Sequence, residues 1–391
     1  MSSGFDVDAA RRDLPVTDRL AYLNTGTAGP LPRRALAAIA EAAQVEGEAG
    51  RIGMDGVTHL FEQLDGLRLA LAEFVGADPV EIGITHNTTE GMNIGTLGLP
   101  WEPGDRVVTT NLEHPGGLLP LYIIHRRFGA EIEFADIGQG GRDETLGAMA
   151  AAIRPGTRLV VLSHVTWGTG AVLPLAEISD LAHRAGALVL VDGAQSVGAI
   201  PIEMHAEGAD FYSFTGQKWL CGPEGTGAIY VRQESLERFE PTFTGGFGVD
   251  HEGFRSNDQE GFQLLPGPAR FEVGSVYRPG IRGLRAAVEW RQGLGPTTFE
   301  AIRELAGYCL ERVGELPGVE VLTPSHGERS GLVAFRLVGV DVAAAVERLS
   351  AAGVEIRSIP DNQALRISCG FFNTAEEIDR AIDLLKTIPR S

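Results

Sequence analysis

The sequence predicts an α/β protein, with a mostly parallel sheet covered by helices on both faces and a smaller α+β unit towards the C-terminus. Three observations predict it. The middle of the chain carries continuous apolar runs of strand length, such as residues 158–163 (RLVVLS) and 188–192 (LVLVD). Helical patterns separate those runs. A run that is apolar on every residue is buried on both faces, as in a covered parallel sheet. Finally, the composition shifts after about Val231, and shorter strand and helix patterns then alternate towards the C-terminus.

In chain order, residues 106–110 (RVVTT) read as a strand after the turn Glu102-Pro103-Gly104-Asp105. Residues 119–128 have helical spacing, and 131–134 form the next strand. Strand 158–163, helix 175–185 and strand 188–192 follow, and strands 211–214 and 228–231 complete the series. Residues 243–267 are rich in glycine, aromatics and acids without periodicity, which predicts a long functional loop. Helical patterns resume at 280–292 and 298–316. Residues 332–337, 343–352, 355–359, 364–368 and 375–387 then alternate strand and helix, as in a small α+β domain. The expected division is a large domain over 16–262 and a small one over 263–391 with 1–15.

The chain of 391 residues has 33 basic and 52 acidic side chains, a net charge of −19. That argues against nucleic acid or an anionic membrane as the main partner, since both require a positive face. Residues 1–14 hold no apolar leader, and no window approaches the roughly 20 apolar residues of a membrane span. The three cysteines, Cys221, Cys309 and Cys369, are widely spaced and give neither a disulfide framework nor a metal-ligand pattern. A soluble cytoplasmic protein is expected. Of the basic residues 31 are arginine, and the two lysines are Lys218 and Lys386.

Lys218 follows a predicted strand in Thr215-Gly216-Gln217-Lys218-Trp219. An amine at a strand end can be desolvated into a neutral nucleophile for Schiff-base chemistry, which arginine cannot perform. Lys386 sits three residues after Asp383 on an amphipathic helix and reads as a surface lysine. Asp192 ends a buried strand, where ligands of parallel sheets bind. It could hold the proton of a pyridinium ring, as pyridoxal phosphate (PLP) requires, or simply cap the following turn. Thr88 and Thr89 stand before a helical stretch, where hydroxyls and amides make either a phosphate cradle or a plain helix cap. His114 follows the strand 106–110 and is placed to stack on a ring or to fill a structural role. Arg357 and Arg366 lie on predicted strands; each suits a carboxylate, and each also suits an exposed strand face.

Taken in order, 87–91 (NTTEG), 113–116 (EHPG), 162–170 (LSHVTWGTG), 191–198 (VDGAQSVG), 214–219 (FTGQKW), 270–275 (RFEVGS) and 366–374 (RISCGFFNT) resemble the class V aminotransferase family of PLP enzymes, fold type I. The resemblance runs from Asn24 to Thr374 and is strongest to the cysteine/cystine C-S lyases of the cysteine desulfurase-like group. It implies a large domain with a seven-stranded, mostly parallel sheet, a PLP cofactor and a homodimer with shared active sites. It implies that Lys218 carries the Schiff base, Asp192 pairs with the pyridine nitrogen, Gln195 contacts the ring hydroxyl and His114 stacks on the ring. Thr88, Thr89, Thr215 and Gln217 would hold the phosphate, with Ser275 reaching the phosphate of the partner subunit. Arg366 would clamp the substrate carboxylate, assisted by Arg357, with Asn24 and Trp167 on the substrate side.

Two departures bear on the reaction. Many class V enzymes have Asn where this chain has Trp167, and the C-S lyases share the Trp. Cysteine desulfurases carry a nucleophilic cysteine on a loop between the two C-terminal arginine positions, whereas here residues 358–363 (SIPDNQ) have none. Cys369 lies beyond Arg366 and reads as structural. The expected activity is β-elimination on L-cysteine, cystine or a cysteine S-conjugate. The same scaffold supports desulfuration, epimerisation, transamination and decarboxylation-coupled oxidative deamination, and a PLP-free binding protein is the non-enzymatic alternative.

Overall fold

A computed structural model describes residues 4–52, 54–252, 257–259, 261–359 and 363–390. The chain begins with helix α1 (Val7–Arg12), strand β1 (Ala21–Tyr22) and helices α2 (Arg33–Ala49) and α3 (Met54–Val75). Then come β2 (Ile82–Thr85), α4 (Thr88–Leu97), β3 (Arg106–Thr110), α5 (Pro115–Phe128), β4 (Glu131–Ala135) and α6 (Arg142–Ala152). The series continues with β5 (Thr157–Ser163), α7 (Leu175–Arg184), β6 (Leu188–Asp192), α8 (Met204–Glu207), β7 (Phe211–Thr215) and β8 (Gly227–Val231). A short ribbon, β9 (Val249–Asp250) and β10 (Gln263–Leu264), precedes α9 (Arg278–Gly293) and α10 (Thr297–Gly314). The C-terminal part holds β11 (Val319–Val321), β12 (Leu332–Leu337), α11 (Val342–Ala351), β13 (Val354–Glu355), β14 (Arg357–Ile359), β15 (Ala364–Ser368) and α12 (Ala375–Lys386).

Seven strands form the large sheet in the order β2-β8-β7-β6-β5-β3-β4, with β8 running antiparallel to the other six. The apolar runs are explained by two cores. Val160, Leu162, Val189 and Val191 join one hydrophobic cluster, while Leu159, Val161, Leu188 and Leu190 join the other. Successive strand side chains point to opposite faces, so a strand covered on both must be apolar throughout.

The small sheet is antiparallel, β11-β12-β15-β14, with Arg357 opposite Arg366 across β14 and β15. Its core includes Val333, Phe335, Ile367 and Ile382. Strand β1 pairs in parallel with β13, and Arg11 donates to Glu377 and to the Phe372 carbonyl, so the N-terminal segment is stitched to this unit. Helix α9 packs on α2 and α3, and its Ile281, Leu284 and Val288 enter the large core. We propose that the division between the units falls between α9 and α10 rather than at residue 262.

Three local expectations are refined. Helix α5 starts at Pro115 rather than 119, because His114 Nδ1 caps it by accepting from the Gly116 amide at 3.0 Å. The loop 243–267 contains the ribbon β9–β10, with 253–256 and 260 outside the described residues. The single strand expected at 355–359 divides, because β13 pairs with β1 and β14 with β15. Within the loop 358–363, Pro360, Asp361 and Asn362 lie outside the described residues. Among the described residues no helix is long and apolar enough to cross a membrane.

Candidate active site

Strands β6 and β7 are parallel neighbours, so Asp192 and Thr215 end at the same edge of the sheet. Lys218 follows three residues later. The glycine loop from Asn24 to Gly29 crosses directly over it: the Gly29 amide donates to the Gln217 carbonyl at 2.6 Å. A Cβ on Gly29 would lie 2.0 Å from the Lys218 carbonyl oxygen, so only glycine permits this approach. Burial lowers the Lys218 ammonium to about 8, with Asp192 opposing and Arg366 and Arg357 adding to the fall. About a tenth of the amine is therefore neutral at pH 7, far more than for an ordinary lysine.

Asp192 is 5% exposed and accepts from the Ala194 amide at 3.0 Å. His114 meets Trp167 edge-on, with ring centroids 5.3 Å apart. Its Nδ1 is committed to the Gly116 amide, which assigns the proton of the neutral ring to Nε2. Burial pulls the imidazole down; Asp192 opposes this, and Lys218, Arg357 and Arg366 reinforce it. His114, Asp192, Lys218, Arg357 and Arg366 thus share one electrostatic environment.

Arg366 is buried on β15. Its Nη1 donates to the Trp167 carbonyl at 2.9 Å, while Nε and Nη2 have no partner among the described residues. Burial first, and then Arg357, bring it down to about 9, so it stays charged at neutral pH. Arg357 Nη1 donates to Thr27 Oγ1 at 3.1 Å, and Thr27 donates to Asn24 Oδ1 at 2.7 Å. Thr27, which ties the second arginine to the glycine loop, carries no signal of its own in the sequence. Its two partners come from opposite ends of the chain.

At the start of α4, Asn87 accepts from the Glu90 amide at 2.9 Å. The Thr88 and Thr89 amides lie in the first turn, where no intrahelical acceptor exists. Thr88 Oγ1 is buried without a protein partner, while Thr89 is exposed at the same turn. Thr215 donates to the Gln217 side-chain oxygen. Gln195 accepts from the Trp219 indole at 2.9 Å and donates to the Gly26 carbonyl at 2.8 Å, leaving one amide hydrogen for a ligand. Ser275 stands apart from this group, on an exposed segment before α9.

Glu113 carries no functional signal of its own in the sequence beyond its place after a strand. It is 6% exposed and receives the hydroxyls of Thr110 at 2.6 Å and Ser163 at 2.7 Å. Burial raises its carboxyl from 4.5 to about 7; the two hydroxyls oppose this, and Asp192 adds to it. The folded state therefore holds the proton more tightly than the unfolded chain. The resulting stability is full below about 4.5 and is lost as pH rises through about 7. The shift corresponds to about 3 kcal/mol. Glu113→Gln is expected to flatten that loss, measured by denaturant unfolding at several pH values; an unchanged pH slope would contradict the assignment.

The Aminotransferase class-V family model matches residues 21–381. A cysteine desulfurase of Haloferax volcanii is 30% identical over 421 aligned residues, covering 97% of this chain and 96% of its own. The solved cystine C-S lyase C-DES, in complex with its reaction product cysteine persulfide, is 33% identical with a TM-score of 0.90, over 96% of this chain and 99% of that one. A C-DES variant with glycine covalently linked to its PLP cofactor is 32% identical with a TM-score of 0.90, over 97% and 99%. With the fold, the strand-end lysine and aspartate and a family match over nearly the whole length, this chain belongs to the class-V aminotransferase family.

Proposed function

We propose that this protein is a PLP-dependent carbon–sulfur lyase acting by β-elimination on L-cysteine, cystine or a cysteine S-conjugate. The products are hydrogen sulfide from cysteine, a persulfide from cystine or a thiol from an S-conjugate, in each case together with pyruvate and ammonia. The site fits the cofactor. A buried, unpartnered Thr88 hydroxyl at a helix start suits a phosphate. The depressed Lys218 amine suits a carbonyl, and the buried Asp192 carboxylate suits a ring nitrogen. When bound, PLP supplies the electron sink for negative charge developing at the substrate Cα.

The residues then have distinct tasks. Thr88, Thr89, Thr215 and Gln217 would hold the phosphate, and His114 and Gln195 would flank the ring. Asp192 would keep the ring nitrogen protonated. Arg366, with Arg357 behind it, would bind the substrate carboxylate, and Asn24 and Trp167 would line the substrate side. Lys218 Nζ would take the Cα proton, after which the Cβ–S bond breaks with both electrons leaving on sulfur. The released enamine hydrolyses in water to pyruvate and ammonia.

The observation that carries lysis over persulfide relay is the state of the thiols. Cys221, Cys309 and Cys369 are all buried. Burial pushes Cys221 up to about 12. Cys369 is held well above its usual range by its contact with Cys309 and by burial. A relay needs an accessible thiolate, and none of the three supplies one. Purified enzyme given cystine is expected to yield pyruvate and persulfide, and Cys369→Ala is expected to keep turnover within about threefold, as for a substitution outside the chemistry. Alanine with enzyme-bound persulfide would mean desulfuration, and aldehyde with CO2 would mean oxidative decarboxylation.

The proposal includes a homodimer. Phe61 meets Phe247 with centroids 5.5 Å apart, and Arg278 donates to the Gly56 carbonyl, so α3 and the segments around 247 and 278 adjoin. Val57, Phe61, Phe243, Val273 and Tyr277 are exposed on these segments around Ser275. Clustered exposed apolar side chains mark interfaces, and this one would carry Ser275 towards a partner's phosphate. A cytoplasmic location agrees with three unpaired thiols.

A further inference from the structure

A line of buried polar side chains runs from α8 to the turn that carries Asp192. His164, just past β5, is 4% exposed. Its Nδ1 stands 3.0 Å from the Tyr212 hydroxyl, and its Nε2 stands 3.8 Å from a Glu207 carboxylate oxygen. The Tyr212 hydroxyl meets Ser196 Oγ, and Ser196 Oγ donates to the Gly193 carbonyl at 3.0 Å. The inner end fixes the direction. A carbonyl only accepts, so Ser196 gives its hydrogen to Gly193, Tyr212 donates to Ser196, and His164 Nδ1–H donates to Tyr212. The His164 Nε2 lone pair is left facing Glu207.

The surroundings suit this arrangement. Burial lowers His164 to about 4, which keeps it neutral. Burial also keeps the Tyr212 hydroxyl protonated. Burial, with Glu328 and Glu177 adding, raises Glu207 to about 7. The groups facing the line are therefore Glu207 from α8, Tyr212 from β7 and Asp192 from β6, with Glu177 and Glu328 beyond.

His164 also grips the same turn through its backbone, where its amide donates to the Asp192 carbonyl at 3.1 Å. A Cβ on Gly193 would lie 2.1 Å from the Tyr212 ring, so that ring rests on the backbone immediately after Asp192. The carbonyls of Asp192 and Gly193 are thus both held, one by the His164 amide and one through Tyr212 and Ser196.

We propose that His164 is a positioning residue that acts through Tyr212 and Ser196 to fix the Asp192–Gly193 turn, and so the aim of the Asp192 carboxylate at the cofactor's ring nitrogen. This rests on the PLP reading above. A supporting network of this kind holds a functional group to within about half an ångström.

The test uses the full chain freed of cofactor and titrated with PLP, following the visible absorbance of the bound cofactor across pH. Tyr212→Phe and His164→Leu are expected to weaken PLP binding about tenfold, the effect of one lost buried hydrogen bond, and to shift the pH at which the absorbance changes. His164→Asn, whose amide can donate to Tyr212, is expected to recover most of both effects. Ser196→Ala cuts the same line with a smaller change and gives the decision if Tyr212→Phe does not fold. Wild-type affinity and absorbance profile in the hydroxyl deletions would overturn the inference, as would equal losses in His164→Asn and His164→Leu. Failure of the wild-type chain to take up PLP would instead overturn the functional reading beneath it.

Discussion

Lys218→Ala is expected to lower turnover by about 10³-fold or more, in line with the loss of a catalytic proton-transfer group together with its covalent role. It is also expected to abolish the visible absorbance of lysine-bound cofactor. The reason is local. Burial lowers the Lys218 amine to about 8, with Asp192 opposing and two arginines adding to the fall. The chain's only other lysine, Lys386, lies on α12 and pairs with Asp383 at 3.0 Å. It cannot replace the first, and Lys386→Arg should leave activity unchanged. Lys218→Arg should fail like alanine, because a guanidinium forms no stable imine and gives up no proton near neutral pH. Retained absorbance in Lys218→Ala would refute the assignment.

Arg366→Ala is expected to cut kcat/KM by about 10²-fold or more, from the loss of charge-assisted bonds to a desolvated carboxylate. Arg366 is 1% exposed, holds the Trp167 carbonyl with one nitrogen and has two nitrogens without a partner among the described residues. A buried cation in that state favours an anion, and a planar carboxylate matches its fork. A Cβ on Gly26 would lie 3.0 Å from Nη2, so the glycine loop closes against the guanidinium. Arg366→Lys should not restore activity, since a single ammonium cannot reproduce the bidentate contact. The cofactor absorbance should persist in both variants, separating lost substrate binding from lost folding. An unchanged kcat/KM for a carboxylate-bearing substrate would count against the clamp.

Much of this was legible in the sequence, because the determining interactions are short-range. Strands β3, β6, β12 and β15 fall where their apolar runs predicted. Each run is set by which faces of a few consecutive residues must be dry. Lys218 stood out through the near-absence of other lysines, and Asp192 through its place at the end of an apolar run. Helices α2 and α3 are not legible in the sequence in this way, because each packs on α9, far away in the chain. Glu113 is not legible in the sequence, because its character comes from burial against Thr110 and Ser163, the second of which is 50 positions away.

The sequence by itself therefore determined the α/β class, the alternation that builds the sheet, the single lysine placed at a strand end as the candidate for the chemistry and the absence of a cysteine between Arg357 and Arg366. Tertiary structure alone decided the rest. It buried all three thiols, left two Arg366 nitrogens unpartnered, brought the Asn24–Gly29 loop over Lys218 and lined up His164, Tyr212 and Ser196 beneath Asp192. The physical reason is that proton affinity and unmet hydrogen-bonding capacity depend on what excludes water from a group. In a folded chain that covering comes from segments hundreds of residues apart.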